Sequence, residues 1–246
     1  MAILRLCHLY PDEMNIYADR GNIAVLRRRL EWRGHHLEID NVAHGQNIRP
    51  DAHDLYYLGG GQDRDQGIVA LDLAESKADS LREAASAGAA FLWVCGGIQL
   101  AGAGYTDASG ERLPGVGILD LDTRAGDSRL IGDVIIEAKL EGSSRRVVGY
   151  ENHAGRTELG SDAEPFGRVI HGHGNNGEDG FEGAVQGRVI GTYLHGPLLP
   201  KNPWVADVLL GWALQHAGID QQLEPLDDSL ADEARRVAAS RAGLNR

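Results

Sequence analysis

The stretch that decides the fold is Ala89-Ala-Phe-Leu-Trp-Val94, followed at once by Cys95-Gly96-Gly97. Six consecutive apolar residues are typical of a strand that is buried on both faces of a parallel sheet. The two glycines permit a sharp turn into a helix, and such a turn lifts the side chain at the strand end away from the sheet. Ligands of open α/β sheets bind at this carboxyl edge. We therefore predict that Cys95 lies at a sharp strand-to-helix turn at the carboxyl edge of the sheet.

Strand-like and helix-like stretches alternate on the N-terminal side of this run. The predicted strands are Ile3 to Leu9, His36 to Val42 and Asp54 to Leu58. Apolar residues at helical spacing predict helices at 22–33 and at about 68–87, which end at Gly34 and Gly88. This alternation predicts an α/β fold with a doubly wound, mostly parallel sheet flanked by helices.

The C-terminal half contains short strand-like pieces separated by glycine and aspartate turns. They are 118–121, 130–140, 146–150, 168–171, 181–185 and 188–194. We expect them to add antiparallel strands to the same domain, which spans 1–218. A helix should run from Pro203 to about His216, capped by Asn202. The segment 219–246 should form a C-terminal helical tail.

Composition narrows the class of protein. Of the 246 residues 42% are hydrophobic and 24% are charged, as in an ordinary globular chain. The net charge of −12 argues against a nucleic-acid partner, because phosphates attract a basic surface. We see no apolar run long enough to span a bilayer and no N-terminal signal, so we expect no membrane insertion. With Cys7 and Cys95 as its two cysteines, the chain should carry reduced thiols in the cytoplasm.

The two cysteines have different sequence contexts. An isolated free cysteine is usually a small buried apolar residue, and Cys7, in an alternating strand without glycines, fits that interpretation. Cys95 precedes a predicted helix, whose N-terminus favours the reactive thiolate. The paired glycines and Gln99 therefore make Cys95 the candidate nucleophile.

Four segments carry a resemblance to a known family. They are Leu58-Gly-Gly-Gly-Gln-Asp63, Val94-Cys-Gly-Gly-Ile-Gln99, Tyr150-Glu-Asn-His-Ala-Gly-Arg-Thr157 and Thr192-Tyr-Leu-His-Gly-Pro197. Together they resemble class I glutamine amidotransferases of the cobyric acid synthase type. The resemblance extends from the first strand to about His216, which is nearly the whole chain.

The resemblance implies a cysteine-dependent release of ammonia from L-glutamine. Cys95 would attack the carboxamide carbon, and His195 would act as its base. Backbone N–H groups near Gly60 and Gly96 would bind the developing oxyanion. Taken alone, a histidine at a strand end is more often a solvated one; its pairing with Cys95 favours catalysis. No metal and no cofactor is implied.

Three further residues are expected to contact the substrate. Arg129 matches the position that would bind the α-carboxylate of glutamine, for which a guanidinium is suited, although a solvated arginine fits the sequence equally well. Gln99 belongs to the nucleophile segment. His153 lies on the substrate side and is the rival candidate for the base.

The chain departs from the family pattern at two positions. Trp93 stands where many class I members have glycine. Triad members carry a glutamate two residues after the histidine, where this chain has Pro197. His195 must then be oriented by another local group or by a residue of a partner protein, or it must work with Cys95 as a dyad without a third residue. A non-catalytic scaffold with a degenerate fold is the alternative from another functional class.

The resemblance also implies a partner. Free-standing glutaminase subunits of about this size occur in lipid II isoglutaminyl synthases. By that resemblance, the chain would form a heterodimer with a Mur-ligase-like synthetase subunit (MurT) and supply ammonia for amidation of D-glutamate in peptidoglycan synthesis. An amidotransferase of the cobyric acid type is the second alternative, although it would normally be fused to its own synthetase domain.

Two other motifs lack the residues that a nucleotide site or a metal site requires. Gly59-Gly-Gly-Gln-Asp63 follows a strand but lacks the spacing of nucleotide-binding loops. His171-Gly-His173 near Glu178 and Asp179 is better interpreted as a glycine-rich surface turn than as a metal site, because no further ligand set completes it.

Overall fold

The computed structural model of the protein describes residues 1–15 and 20–242, apart from the side chain at position 63. The strands in chain order are β1 (Ile3–Leu9), β2 (His36–Val42), β3 (Leu55–Leu58), β4 (Ala90–Val94), β5 (Gly104–Thr106), β6 (Arg112–Pro114), β7 (Leu121–Leu140), β8 (Ser143–Leu159), β9 (Gly167–His171), β10 (Phe181–Glu182), β11 (Ala184–Gln186) and β12 (Val189–Thr192). The α-helices are α1 (Arg20–Glu31), α2 (Asp63–Asp72), α3 (Ala78–Ser86), α4 (Gly96–Ala101), α5 (Leu198–Lys201), α6 (Pro203–His216) and α7 (Ser229–Arg241).

The first sheet has the strand order β11-β12-β4-β3-β1-β2. Its strands pair in parallel except for β11, which runs antiparallel to β12 at one edge. The apolar strand β4 lies in the interior of this sheet, and each of its residues is buried. Helix α1 lies between β1 and β2, and α2 and α3 lie between β3 and β4, so the predicted α/β fold with a doubly wound, mostly parallel sheet is confirmed.

A second sheet holds most of the antiparallel strands. Its order is β10-β9-β7-β5-β6, and β8 pairs with β7 in a long hairpin. The short pieces predicted at 118–121, 130–140 and 146–150 are wrong in length. The two hairpin strands run on through polar residues, with a register shift between Ala125 and Leu130. Inward-facing polar residues of β8 obscure the alternation that marks a strand, because they are buried by hydrogen bonding rather than by apolar packing.

The helix predicted at 68–87 is α2 and α3 joined by a π-helical turn at Leu73–Lys77. The extra residue of such a turn shifts the side chains around the helix axis. It brings Lys77, which is fully buried, into an ion pair with Asp72. The Tyr10 hydroxyl donates to the same carboxylate over 2.7 Å. The buried charge is thus paired, as a low-dielectric interior requires.

The helix α6 begins at Pro203 as predicted, but the expected cap is wrong. The Asn202 side chain makes no capping bond to the helix. Its Oδ1 accepts from the Val148 N–H over 2.9 Å, and its Nδ2 donates to the Val148 carbonyl over 2.8 Å. Asn202 therefore joins the start of α6 to the edge of β8.

The C-terminal helix α7 packs on the second sheet, where Ala239 contacts Ile135 and Val148. The segment before α7 is held by the buried Arg29, which bonds to Asp207 and Asp228 over 2.6 Å each. The division into a domain at 1–218 and a tail stays a prediction, and its last residues, 243–246, lie outside the described part. Within that part, every helix is too short or too polar to cross a bilayer.

Candidate active site

Cys95 occupies a strained turn between β4 and α4. Its backbone has φ 55° and ψ −106°, a conformation that side-chain-bearing residues rarely adopt. Strain of this kind costs on the order of 1–3 kcal/mol and persists at functional turns. The side chain is 6% exposed. The predicted strand-to-helix turn is therefore present, and it encloses the cysteine almost completely.

The turn packs directly against the loop that follows β3. A Cβ atom added at Gly97 would lie 2.8 Å from the Leu58 carbonyl oxygen and 3.3 Å from that of Gly59. Only glycine permits such an approach. The loop with Gly60 is thereby fixed beside the Cys95 turn, and two segments that are distant in sequence are brought together.

His195 follows the strand that neighbours β4. The strands β12 and β4 are parallel, with Val94 opposite Thr192, and the Cys95 N–H donates to the Thr192 carbonyl over 2.8 Å. Both side chains therefore lie beyond the same carboxyl edge. The backbone of His195 is fixed by a two-way bridge with Tyr150 of β8, at N···O distances of 2.8 and 3.3 Å. Its side chain is 1% exposed.

Gln99 lies on α4, and its side chain belongs to a chain of buried, hydrogen-bonded polar groups. Its Oε1 accepts from Gln66 Nε2 over 2.7 Å, and its Nε2 lies 3.4 Å from the Tyr193 hydroxyl. That hydroxyl is 2.7 Å from Thr157 Oγ1, which in turn is 2.8 Å from Thr123 Oγ1. The amide group of Gln99 is thus engaged within the protein, and its expected contact with substrate stays a prediction.

His153, the rival base, is packed inside the second sheet. Its ring stacks on Tyr193 with centroids 3.6 Å apart and an interplanar angle of 9°. One ring nitrogen, Nδ1, lies 3.0 Å from the Gly155 carbonyl oxygen, and the other, Nε2, lies 3.5 Å from Glu151 Oε2. Burial lowers the pKa of His153 in spite of the Glu151 carboxylate. The ring is therefore held between the Gly155 carbonyl and Glu151 as a stacked group.

Glu151 explains the motif His171-Gly-His173. Its fully buried carboxylate accepts hydrogen bonds from the His173 and Gly174 backbone N–H groups, and Oε1 lies 2.7 Å from His173 Nδ1. Burial alone would raise the pKa of Glu151, but bonds from His153 and His173 outweigh it and hold that pKa below its ordinary value. The carboxylate anchors the turn to β8.

Arg129 lies on β7 at the register shift and is exposed. Its Nε donates to Asn152 Oδ1 over 2.7 Å, and its Nη2 donates to the Asn152 carbonyl over 2.8 Å. Asn152 is two residues from Tyr150, which bridges to His195. The hairpin β7–β8 thus carries Arg129 on the same structural unit that contacts the candidate base.

The sequence interpretation missed Glu182, a fully buried carboxyl near His195. Its Oε1 accepts from the Tyr193 N–H over 2.7 Å and from Thr192 Oγ1 over 2.9 Å. Burial raises the pKa of Glu182 to about 8, and the charge of His195 opposes that rise. One signal was available, since Glu182 is the lone charged residue within the predicted strand at 181–185.

A strained cysteine turn, a histidine on the adjacent strand and a glycine loop beside them define the class of glutamine amidotransferases. Residues 5–203 match the CobB/CobQ-like glutamine amidotransferase domain, and the chain belongs to that family. The predicted family is thereby confirmed.

Two named relatives place the chain more closely. It is 38% identical over 239 residues to the lipid II isoglutaminyl synthase (glutamine-hydrolyzing) subunit GatD of Staphylococcus aureus, covering 97% of this chain and 96% of that one. It is 33% identical over 234 residues to a cobyric acid synthase of Pelotomaculum thermopropionicum, but that match covers 41% of the relative.

Solved structures support the fold. A PurLQS structure from Thermotoga maritima superposes with a TM-score of 0.55 at 18% identity, covering 87% of this chain and 96% of that one. A glutamine amidotransferase from the same organism gives a TM-score of 0.53 at 17% identity, covering 98% and 94%. At such identities the likeness concerns the fold alone.

Proposed function

We propose that this protein is the glutaminase subunit of a lipid II isoglutaminyl synthase. It hydrolyses L-glutamine at Cys95 and His195 and delivers ammonia, in the cytoplasm, to a Mur-ligase-like synthetase subunit (MurT). That partner amidates D-glutamate of lipid II during peptidoglycan synthesis. The observation that carries the catalytic part is the shared carboxyl edge of β4 and β12, where the strained cysteine turn lies next to the strand that ends at His195.

The proposed chemistry proceeds in two halves. The Cys95 sulfur forms a bond to the carboxamide carbon of glutamine while its proton passes to the His195 ring. The tetrahedral intermediate collapses, the carbon–nitrogen bond breaks, and the imidazolium returns the proton to the departing ammonia. Water then attacks the thioester, with His195 taking its proton, and glutamate leaves as the Cys95 thiol is restored.

The surrounding backbone supplies the remaining contacts. The loop with Gly60 packs on the cysteine turn. Backbone N–H groups near Gly60 and Gly96 are therefore our candidates for binding the oxyanion. Donors of this kind each contribute roughly 3–4 kcal/mol in acyl transfer. Arg129 is our candidate for the α-carboxylate of glutamine, presented by Asn152. Gln99 and His153 would shape the site from behind.

Our proposal for the ammonia acceptor and for the partner subunit depends on similarity to the Staphylococcus aureus GatD subunit. That similarity covers almost the full length of both chains. The word "subunit" in the name of that relative supports a heteromeric enzyme, and "glutamine-hydrolyzing" supports the half-reaction assigned here. A cobyric acid type acceptor is the second candidate, supported by 33% identity to the Pelotomaculum protein.

Treatment with diazo-oxo-norleucine, an electrophilic glutamine analogue, tests the catalytic part. Mass spectrometry should find one adduct on Cys95 and none on Cys7, whose buried thiol has a raised pKa. Absence of the adduct, both alone and with the partner present, would establish the non-catalytic scaffold instead. Co-purification of an untagged synthetase, followed by amidation assays with lipid II and with a cobyric acid precursor, would separate the two acceptors.

A further inference from the structure

The two strands of the long hairpin lose their register at one place, and Arg129 lies there. Strands β7 and β8 pair regularly up to Ala125 and again from Leu130, so residues 126–129 stand opposite Ala154 alone. A bulge of this kind interrupts the ladder of hydrogen bonds and changes the direction of the side chains that it carries. The direction of Arg129 therefore depends on what fixes the backbone of the bulge.

The Arg156 side chain spans this bulge. Its Nη1 donates to the Ala154 carbonyl over 3.0 Å and to the Gly155 carbonyl over 3.2 Å, and its Nη2 donates to the Ser128 carbonyl over 2.9 Å. One guanidinium thus joins two carbonyls of β8 to the residue that directly precedes Arg129. Arginine suits such a bridge, because its N–H groups point in fixed directions from a planar group.

The bulge leaves room for that guanidinium at Gly126. A Cβ atom added at Gly126 would lie 2.6 Å from Arg156 Cζ and 2.9 Å from both Nε and Nη2. The guanidinium therefore lies directly against the glycine backbone, in space that the side chain of any other residue would occupy. The bulge and Arg156 consequently fit one another in shape as well as in hydrogen bonding.

We propose that Arg156 is a positioning residue for Arg129: it fixes the bulge so that the Arg129 guanidinium faces the α-carboxylate of glutamine. Asn152 holds the Nε and Nη2 groups of Arg129, while Arg156 holds the backbone just before it. Nη1 of Arg129 takes part in neither bond to Asn152, so it is the donor that we assign to the carboxylate. This inference rests on the proposed function, since it assigns Arg129 the role of binding glutamine.

The hydrogen bonds of Arg156 favour this indirect role over direct binding of glutamine. Both of its terminal nitrogens donate to backbone carbonyls of the hairpin. Without Arg156, the carbonyls of Ser128 and Ala154 lose the group that joins them, and the bulge gains alternative conformations. Such misplacement of a binding group by about 1 Å can cost on the order of a hundredfold in enzyme efficiency.

A double-mutant cycle tests whether Arg156 acts through Arg129. The variants are Arg156→Ala, Arg156→Lys, Arg129→Ala and the double variant with both alanines. The matched control is Arg124→Ala, which removes an exposed arginine of β7 that pairs with Glu158. Each full-length protein is assayed for glutamate release with the partner synthetase present. Calorimetry measures the dissociation constant for L-glutamine in the Cys95→Ala background, where no turnover is expected.

We expect Arg156→Ala to raise KM and the dissociation constant by roughly five- to twentyfold, with kcat within about threefold. Arg156→Lys should resemble Arg156→Ala, because a single ammonium lacks the fork that reaches both strands. In the Arg129→Ala background, Arg156→Ala should change either constant by less than about twofold, since the contact that Arg156 positions is already lost. Arg124→Ala should match the wild type.

Two outcomes overturn the proposal. Wild-type glutamine binding in Arg156→Ala would show that the bulge needs no bridge. Losses from Arg156→Ala and Arg129→Ala that multiply in the double variant would show that the two arginines act independently.

If Arg156→Ala does not fold, Gly126→Ala decides. Its methyl group would displace the Arg156 guanidinium and keep the charge. It should weaken glutamine binding when Arg129 is present and have no effect in the Arg129→Ala background; unchanged binding in both backgrounds overturns the proposal. A wild-type protein that releases no glutamate, although its variants bind glutamine in the expected pattern, would refute the proposed function alone.

Discussion

The backbone nitrogen of Cys95 lies 2.8 Å from the carbonyl oxygen of Thr192, three residues before His195. This bond continues the parallel ladder between β4 and β12 by one residue beyond the end of β4, to the last residue of β12. The turn that bears the candidate nucleophile is thereby fixed in register with the segment that bears the candidate base. A small displacement of either strand end would change the relative position of Cys95 and His195, so both residues depend on rigid backbone support.

Substitution of either candidate catalytic residue should abolish glutamate release. Cys95→Ala removes the proposed nucleophile and His195→Ala removes the proposed base, so each should lower kcat at least about a thousandfold. The control Cys7→Ala changes a buried thiol in β1 and should leave kcat within about twofold. Coupled glutamate dehydrogenase assays measure the rates. Undiminished turnover by Cys95→Ala would contradict the assigned role.

Arg129→Ala should weaken glutamine binding. Loss of the guanidinium removes a charge-assisted contact worth roughly 1.5–3 kcal/mol, so KM should rise by about ten- to a hundredfold with a smaller change in kcat. Arg124→Ala serves as the control, because Arg124 lies on the same strand and pairs with Glu158 at the surface. Equal KM values for the two variants would show that Arg129 does not bind glutamine.

Gly97→Ala should damage the nucleophile turn. The added methyl group would meet the Leu58 and Gly59 carbonyl oxygens, which are backbone atoms and yield only at the cost of strain. We expect a loss of about 1–3 kcal/mol in the free energy of unfolding and slower alkylation of Cys95. Gly211→Ala, inside α6 with open space around it, should stabilise the protein by roughly 0.5–1 kcal/mol. Urea denaturation compares the two, and a stable, fully reactive Gly97→Ala protein would contradict the packing described.

Arg29→Ala should release the segment before α7. Its side chain is 3% exposed and joins Asp207 to Asp228, and breaking a buried pair costs roughly 3 kcal/mol. The adjacent Arg28→Ala removes an exposed helical pair with Glu31 and should cost less than about 0.5 kcal/mol. Limited proteolysis should cleave near residue 228 faster in Arg29→Ala alone. Equal cleavage rates would show that other contacts hold the tail.

Glu182 should make folding stability depend on pH. Burial raises its pKa in the folded state from 4.5 to about 8, so between these values the folded protein retains a proton that the unfolded chain loses. Rising pH therefore destabilises the wild type across this range. Glu182→Gln removes the effect, and its unfolding free energy relative to wild type should rise by a few kcal/mol between about pH 5 and about pH 8. A pH-independent difference, from urea titrations at both values, would disprove the raised pKa.

Much of the first sheet could be predicted from the sequence. Continuous or alternating apolar runs mark β1, β2 and β4, and the structure places them within a residue or so of the predicted bounds. The two glycines that directly follow Cys95 predicted the sharp turn, because few residues other than glycine permit the backbone to turn so tightly there. The second sheet was harder to predict. Glu151, His153 and Thr157 face inward on β8, and their polarity conceals a strand whose interior is held by hydrogen bonds.

The sequence by itself determined where the strands β1, β2 and β4 lie along the chain and where the glycine turn follows Cys95, because local apolar patterning and glycine stereochemistry act over a few residues. Only the tertiary structure decided what surrounds them. The Tyr150 bridge to His195, the stacking of His153 on Tyr193 and the contact of Glu182 with Thr192 join strands from different parts of the chain. Such contacts depend on sheet order and side-chain burial, which no short stretch of sequence encodes.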